Sequence, residues 1–284
     1  MFNDYFMLPY ESKTLGKIYP IRLKDWEEFN ILSQYLFSHG LQNIKNLYKF
    51  EGEYVLDFII APNSPHFIER KMKVELEEKM ENCTEEEKSI LKSRLNNLVK
   101  KINLNIHMED IERNFSLIFR EEVKFDFVET EEGIDYCFRI GNGKVLSKYN
   151  YDELREVVMR QNIIFEPLTS PDEMTNKIFQ KTIEAKIRRN KGKNRDFESI
   201  IALVSIERGI SDEEIMNYTY YRLMKDYNVI VRKHTNLYSA IFMSVGNKNR
   251  LESFDETIDM FHNPYEDIFG EEISEEEIMD ALKK

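Results

Sequence analysis

Residues 123–147 read VKFDFVETEEGIDYCFRIGNGKVLS, and two runs within them alternate apolar with polar side chains: Val123, Phe125 and Phe127, then Ile134, Tyr136, Phe138 and Ile140. Alternation at every second residue gathers the apolar groups on one face of a strand, so the spacing predicts a β-hairpin with its turn at 129–133. Gly141-Asn142-Gly143 supplies a second tight turn into a strand at 144–147, completing a three-stranded antiparallel meander. Outward from this sheet most periods are helical. The expected fold is therefore α+β and helix-dominated, with the small antiparallel sheet and a helical hairpin in the N-terminal half and a helical C-terminal half.

Toward the N-terminus, a short strand is expected at 17–23, feeding a helix capped by Asp25 with Glu28 closing a capping box. Trp26, Phe29, Leu32 and Leu36 make its apolar face, and Gly40 stops it. Residues 53–60 have strand composition and end at Pro62, Ser64 and Pro65. Ile68, Met72, Leu76 and Met80 fall four apart, Thr84 and Glu87 form a capping box, and Leu91, Leu95, Leu98 and Ile102 resume the stripe. That pattern predicts two antiparallel helices over 66–102. Residues 108–120 have an ambiguous helical pattern.

Toward the C-terminus the caps mark helix starts. Asn150 with Glu153, Ser170-Pro171-Asp172-Glu173, Ser211 with Glu214, and Ser274 with Glu277 each place a capping side chain before a helical run. The expected helices are 151–162, 171–190, 196–208, 212–245 with a break near Thr235, and 274–282. The loss of strand signals at 165–170 divides the chain into a mixed domain at 1–166, a helical domain at 167–250 and an acidic tail at 251–284.

The net charge of −12 is concentrated in that tail, where twelve acidic residues face only Lys283 and Lys284. Residues 177–195 carry eight basic residues against Glu184 alone, so the chain is electrically polarised. No apolar stretch reaches the roughly 20 residues of a membrane span, and no basic-then-apolar leader opens the chain. Two cysteines, Cys83 and Cys137, form no disulfide framework, so a reducing cytoplasm is expected. Gly141-Asn142-Gly143-Lys144-Val145 lacks the hydroxyl and spacing of a phosphate loop, and His39, His66, His107, His234 and His262 are too scattered for zinc. Cys83 reads as an ordinary loop residue. Asp57, Glu122 and Lys124 are the residues a magnesium-dependent nuclease would need, in a chain with 52 acids where such a match is expected by chance. The basic run lacks interleaved aromatics, which argues against nucleic acid and for an acidic protein surface.

The candidate residues are accordingly partner-binding ones, with no catalytic, cofactor-binding or metal-binding residue among them. Tyr218, Tyr220 and Tyr221 lie on a helix whose apolar side also holds Ile215, Leu223, Tyr227, Ile230 and Val231. Tyrosine offers contact area at low entropic cost, although core packing explains the same stripe. Phe254, Phe261, Tyr265 and Phe269 are interleaved with the tail acids as aromatic anchors, and Arg188 and Arg189 are the densest part of the basic run.

The stretches Tyr149-Asn150-Tyr151-Asp152-Glu153-Leu154-Arg155-Glu156-Val157-Val158 and Gln161-Asn162-Ile163-Ile164-Phe165-Glu166-Pro167 resemble segments of tail-assembly proteins of bacteriophages that infect Gram-positive hosts. Ile215-Met216-Asn217-Tyr218-Thr219-Tyr220-Tyr221-Arg222-Leu223 and the opening from Gly16 to Trp26 are similar to them as well. The resemblance implies a tail assembly chaperone, a non-enzymatic protein of the host cytoplasm that holds the tape-measure protein and recruits tail-tube subunits. The alternatives are a structural virion protein of the neck, tail or baseplate, and a magnesium-dependent nucleic-acid enzyme. Client identity and oligomeric state are left open.

Overall fold

Two small antiparallel sheets sit among helices in the computed structural model, which describes residues 5–37, 55–62, 64–80, 106–130, 133–166, 173–190, 196–244 and 259–262. The fold is a helix-dominated α+β one, as the mixture of periods predicts. The chain divides into two units: one gathers residues 9–21 and 25–158, the other residues 1–8, 22–24 and 159–284.

In the sheet-bearing unit, β1 (Tyr10–Ser12) and β2 (Gly16–Ile18) form a hairpin whose turn is closed by Ser12 Oγ, which accepts from the Leu15 and Thr14 amides. The strand expected at 17–23 thus ends at Ile18, and α1 (Leu23–Phe37) starts two residues before Asp25, which lies in its first turn instead of capping it. Phe29, Leu32 and Leu36 are buried, in agreement with the helical spacing. Residues 53–60 were expected as a strand, yet Val55–Ile60 is a helix, α2, with Val55, Leu56, Phe58, Ile59 and Ile60 all buried. A short apolar run covered on every side has no period to separate helix from strand, and the helix satisfies its backbone within itself.

Ser64 caps α3 (Pro65–Met80), its hydroxyl accepting from the Phe67 amide while Pro65 takes the first position. Of the expected stripe Ile68 is marginally exposed and Met72 half-buried, while the side chains of Leu76 and Met80 lie outside the described ones; His66 and Glu69 are buried on the same helix. The second arm of the expected hairpin lies outside the described residues. The 108–120 stretch resolves as α4 (Met108–Phe119), ended by Arg120 in the left-handed region.

β3 (Val123–Thr130) and β4 (Gly133–Ile140) pair as the expected hairpin, Phe125 opposite Phe138 and Phe127 opposite Tyr136, with pairing that reaches into the expected turn to Thr130 and Gly133, and the shorter β5 (Val145–Leu146) pairs with β4. Phe115 of α4 packs on Phe138 at 5.1 Å and faces Phe37 at 6.4 Å, and Phe37 stacks on Tyr151. The Gly141–Lys144 run is a turn: Lys144 Nζ donates to the Lys13 carbonyl at 2.7 Å, and its amide donates to Asn142. α5 (Tyr151–Asn162) has the expected bounds. Asn150, expected to cap it, instead turns its amide back to the Ser147 amide and the Val145 carbonyl, closing the strand-to-helix corner.

The helical unit holds α6 (Glu173–Asn190), α7 (Phe197–Arg208), α8 (Asp212–Ile215) and α9 (Tyr220–Ser244). Asp196 and Ser211 cap α7 and α8 through side-chain oxygens. The single helix expected over 212–245 is broken at 216–219 and runs unbroken through Thr235. The cause is long-range: the Met216 and Tyr218 carbonyls accept from the Lys24 and Leu23 amides, and Thr219 bridges to Arg22. Leu23, Val204, Ile215, Tyr218, Leu223 and Ile230 form this unit's core.

Gly209 ends α7 at φ +64°, and a Cβ there would meet nothing within 4 Å. Gly209→Ala is therefore expected to cost about 1 kcal/mol from backbone strain alone, with no packing penalty. A thermal melt followed by far-ultraviolet circular dichroism checks this. A loss above about 3 kcal/mol would show that the turn does more than stop the helix.

Candidate functional site

α9 is the structural basis of the candidate site. Phe197 at the start of α7 lies beside Tyr220 at the start of α9, and Glu207 at the end of α7 meets Lys233 and His234 at 3.4 and 3.0 Å. The two helices thus run in the same direction. α7 has 12 residues and α9 has 25, so α9 outruns its neighbour by roughly ten residues, about 15 Å. Leu223, Tyr227, Ile230, His234, Leu237 and Ile241 follow each other at alternating four- and three-residue steps, a single seam along α9. Its first half faces the core. Along the projecting end Leu237, Tyr238, Ile241 and Phe242 are 54, 60, 52 and 49% exposed, and Met243 is exposed beside them. Residues 235–244 contain no charged side chain.

The expected partner-binding tyrosines belong to the other end of that helix. Tyr218 and Tyr221 are buried, Tyr220 is half-buried against Phe197, and burial raises the Tyr220 hydroxyl pKa above its ordinary value. Arg222 covers the Tyr218 ring at 3.9 Å and donates to its hydroxyl. Of the tail anchors, Phe261 stacks on Tyr221, while Phe254, Tyr265 and Phe269 lie outside the described residues. Arg188 and Arg189 fall in the last turn of α6, and their side chains lie outside the described ones. The exposed apolar end of α9 was not singled out from sequence, although the continued seam is the signal that marks it.

Two buried polar knots also escaped the sequence. In the sheet-bearing unit Glu69, fully buried, holds His107 Nδ1 at 2.8 Å and Lys73 Nζ at 3.0 Å, and Lys73 reaches Glu109 at 3.0 Å. Tyr35 hydroxyl and His66 Nε2 are 2.9 Å apart. Burial first, and the neighbouring His107 second among the lowering causes, depress the His66 pKa to about 4, against the pull of Glu69. Among the described residues Glu69 Oε2 has no hydrogen-bond partner, and the Ile106 backbone supports a proton on His66. In the helical unit Asp226, almost fully buried, accepts from Arg208 at 2.5 Å and from the Tyr5 hydroxyl at 3.3 Å. Both knots compensate a buried carboxylate with cationic or hydroxyl donors, and that arrangement ties elements together.

An open cleft of about 640 Å³ is lined by Glu109, Glu112, Arg113, Arg120, Glu122 and Lys124 among others. Glu112 is engaged by the Phe125 amide and by Lys124, which also pairs with Glu122. Asp57 sits on α2, where its charge acts on Lys148. Among the described residues no three His, Cys, Asp or Glu side chains converge as metal ligands. Burial, then the Asp126 charge, push the buried Cys137 thiol up to about 11, which leaves it un-ionised at neutral pH. No described helix is long and apolar enough to cross a membrane. No protein-family model, curated protein or solved structure matches the chain.

Proposed function

We propose that the protein is a non-enzymatic holder of another polypeptide, with the projecting end of α9 as its contact surface. The observation that carries the reading is the run Leu237, Tyr238, Ile241, Phe242 and Met243, five large apolar side chains about half exposed on consecutive turns. Contiguous apolar surface of this kind marks interaction sites, and a seam with three- and four-residue steps receives a helix side by side. The setting is bacteriophage tail assembly in the host cytoplasm, with the tape-measure or tail-tube protein as client. That setting rests on the resemblance of residues 149–167 and 215–223. A long apolar tape-measure helix is the kind of client such a seam suits, and the chain's charged exterior supports solubility of the complex.

Co-expression tests the reading. The full chain is expected to keep a co-expressed phage tape-measure protein soluble, and the double substitution Ile241→Asp and Phe242→Asp is expected to reduce the soluble client at least tenfold with unchanged circular dichroism. An equal yield from the variant would sink the α9 surface. Recovery of the protein in purified particles would make it a virion component instead.

A further inference from the structure

Along its projecting end the seam of α9 has the same residue classes read in either direction. Leu237 and Ile241 are its two apolar positions there, and His234 and Ser244 are the positions before and after them. Reversed about residue 239, the stretch exchanges 237 with 241 and 234 with 244, so apolar falls on apolar and polar on polar. An antiparallel pair of identical helices needs that property, because a two-fold axis sets each residue of one copy beside the reversed position of the other. Charge points the same way. Residues 235–244 hold no charged side chain, so two copies can lie along one another over this stretch without like charges meeting. A parallel pair would lay Arg232, Lys233 and His234 beside their own counterparts at the start of the stretch.

The area is sufficient for a weak pair. Leu237, Tyr238, Ile241 and Phe242 are about half exposed, and the His234 side chain and Ser244 are open to solvent at the two ends. Large apolar side chains half open to water offer on the order of 100 Å² each, which gives roughly 500 Å² per copy and about 1,000 Å² per pair. That is the lower bound of a specific interface, and it corresponds to micromolar association and not to an obligate dimer. Each copy carries a net charge of −12, so the rest of the surface repels and the apolar strip has to supply the attraction.

We infer that two copies of the chain pair antiparallel through the projecting ends of α9, Leu237 of each against Ile241 of the other, and that this dimer is the client-free form. The inference rests on the reading of that end as a contact surface. The side chains that pair are the ones a client helix takes, so self-pairing and client binding exclude each other, and the apolar run stays covered until a client displaces the second copy. Sedimentation velocity of the full chain is expected to show a monomer–dimer equilibrium with a dissociation constant on the order of 10 μM, tightening as salt screens the net charge. Leu237→Glu and Ile241→Lys are each expected to weaken it at least tenfold, because each sets an unpaired charge in the strip. Both positions are about half exposed, so the fold is kept, and circular dichroism verifies it. Mixing the two variant chains is the deciding arm: the antiparallel register sets the new acid against the new base, and the mixture should dimerise at least tenfold tighter than either variant alone. A mixture no tighter than its parts would overturn the register, and a dimer indifferent to both substitutions would overturn the interface. A full chain that stays monomeric at every concentration would overturn the inference and leave the co-expression yield to judge the contact surface by itself. Rescue in the mixture together with an unchanged client yield would keep the pairing and sink the client.

Discussion

Replacing Phe115 with Ala is expected to destabilise the sheet-bearing unit by about 3–5 kcal/mol, the cost of deleting a fully buried aromatic ring whose surroundings cannot collapse. The neighbours are each held elsewhere. Phe138 is fixed in the β3–β4 ladder opposite Phe125, and Phe37 stacks on Tyr151, whose hydroxyl donates to the Leu36 carbonyl. None can swing into the cavity without breaking one of those contacts. A domain's whole stability is on the order of 5–15 kcal/mol, so the variant sits near its unfolding threshold. Trp26, the chain's single tryptophan, lies in this unit 5.8 Å from Phe29, so its fluorescence reports on this unit during urea unfolding. A loss below about 1 kcal/mol would mean that the aromatic cluster repacks freely.

Acid is expected to weaken the same unit through His66. Its pKa falls from the ordinary 6.5 to about 4 on folding, first because burial disfavours the imidazolium. Between those values the unfolded chain binds the proton that the folded chain refuses, so stability is fully present above pH 6.5 and declines as pH drops toward 4. The drop is worth roughly 3 kcal/mol at the lower limit. The groups around it are Glu69 on its own helix, Tyr35 from α1 and His107 ahead of α4, with Lys73 and Glu109 adjoining Glu69. His66→Gln keeps an acceptor for the Tyr35 hydroxyl and removes the titration. Urea midpoints by Trp26 fluorescence should therefore fall more steeply from pH 7 to 4.5 in the unaltered chain than in the variant. Parallel profiles would show that His66 does not control the acid response.

Where neighbours along the chain carry the information, the reading of residues transferred to the fold. The meander is legible because alternation of Val123, Phe125 and Phe127 and of Ile134, Tyr136, Phe138 and Ile140 gives each strand one apolar face, of which Val123, Phe138 and Ile140 are buried and Phe127 is exposed. α5 and α7 are legible for the same reason, since the local pattern sets their extent to within a residue, while the Asp196 cap and the Gly209 stop of α7 were not singled out from sequence. Of the candidate site, the Tyr218–Tyr221 stripe was visible but belongs to the core, and the exposed end of α9 carries the same spacing without any mark of exposure. Exposure depends on where α7 stops alongside it.

Sequence by itself determined the α+β class, the three-stranded meander, the extents of α5 and α7 to within a residue, the Ser211 cap and the concentration of negative charge in the last 34 residues, because each depends on side chains within a few positions of one another. Tertiary structure alone decided that Val55–Ile60 is a helix, that the chain breaks at 216–219, that Glu69 draws His107 and Lys73 to one carboxylate, and that Met260 and Phe261 close on Tyr221 and Asn228. Each of those outcomes turns on a backbone carbonyl, a charge or a ring supplied from far along the chain or on burial from all sides, and neither leaves a period in the local sequence.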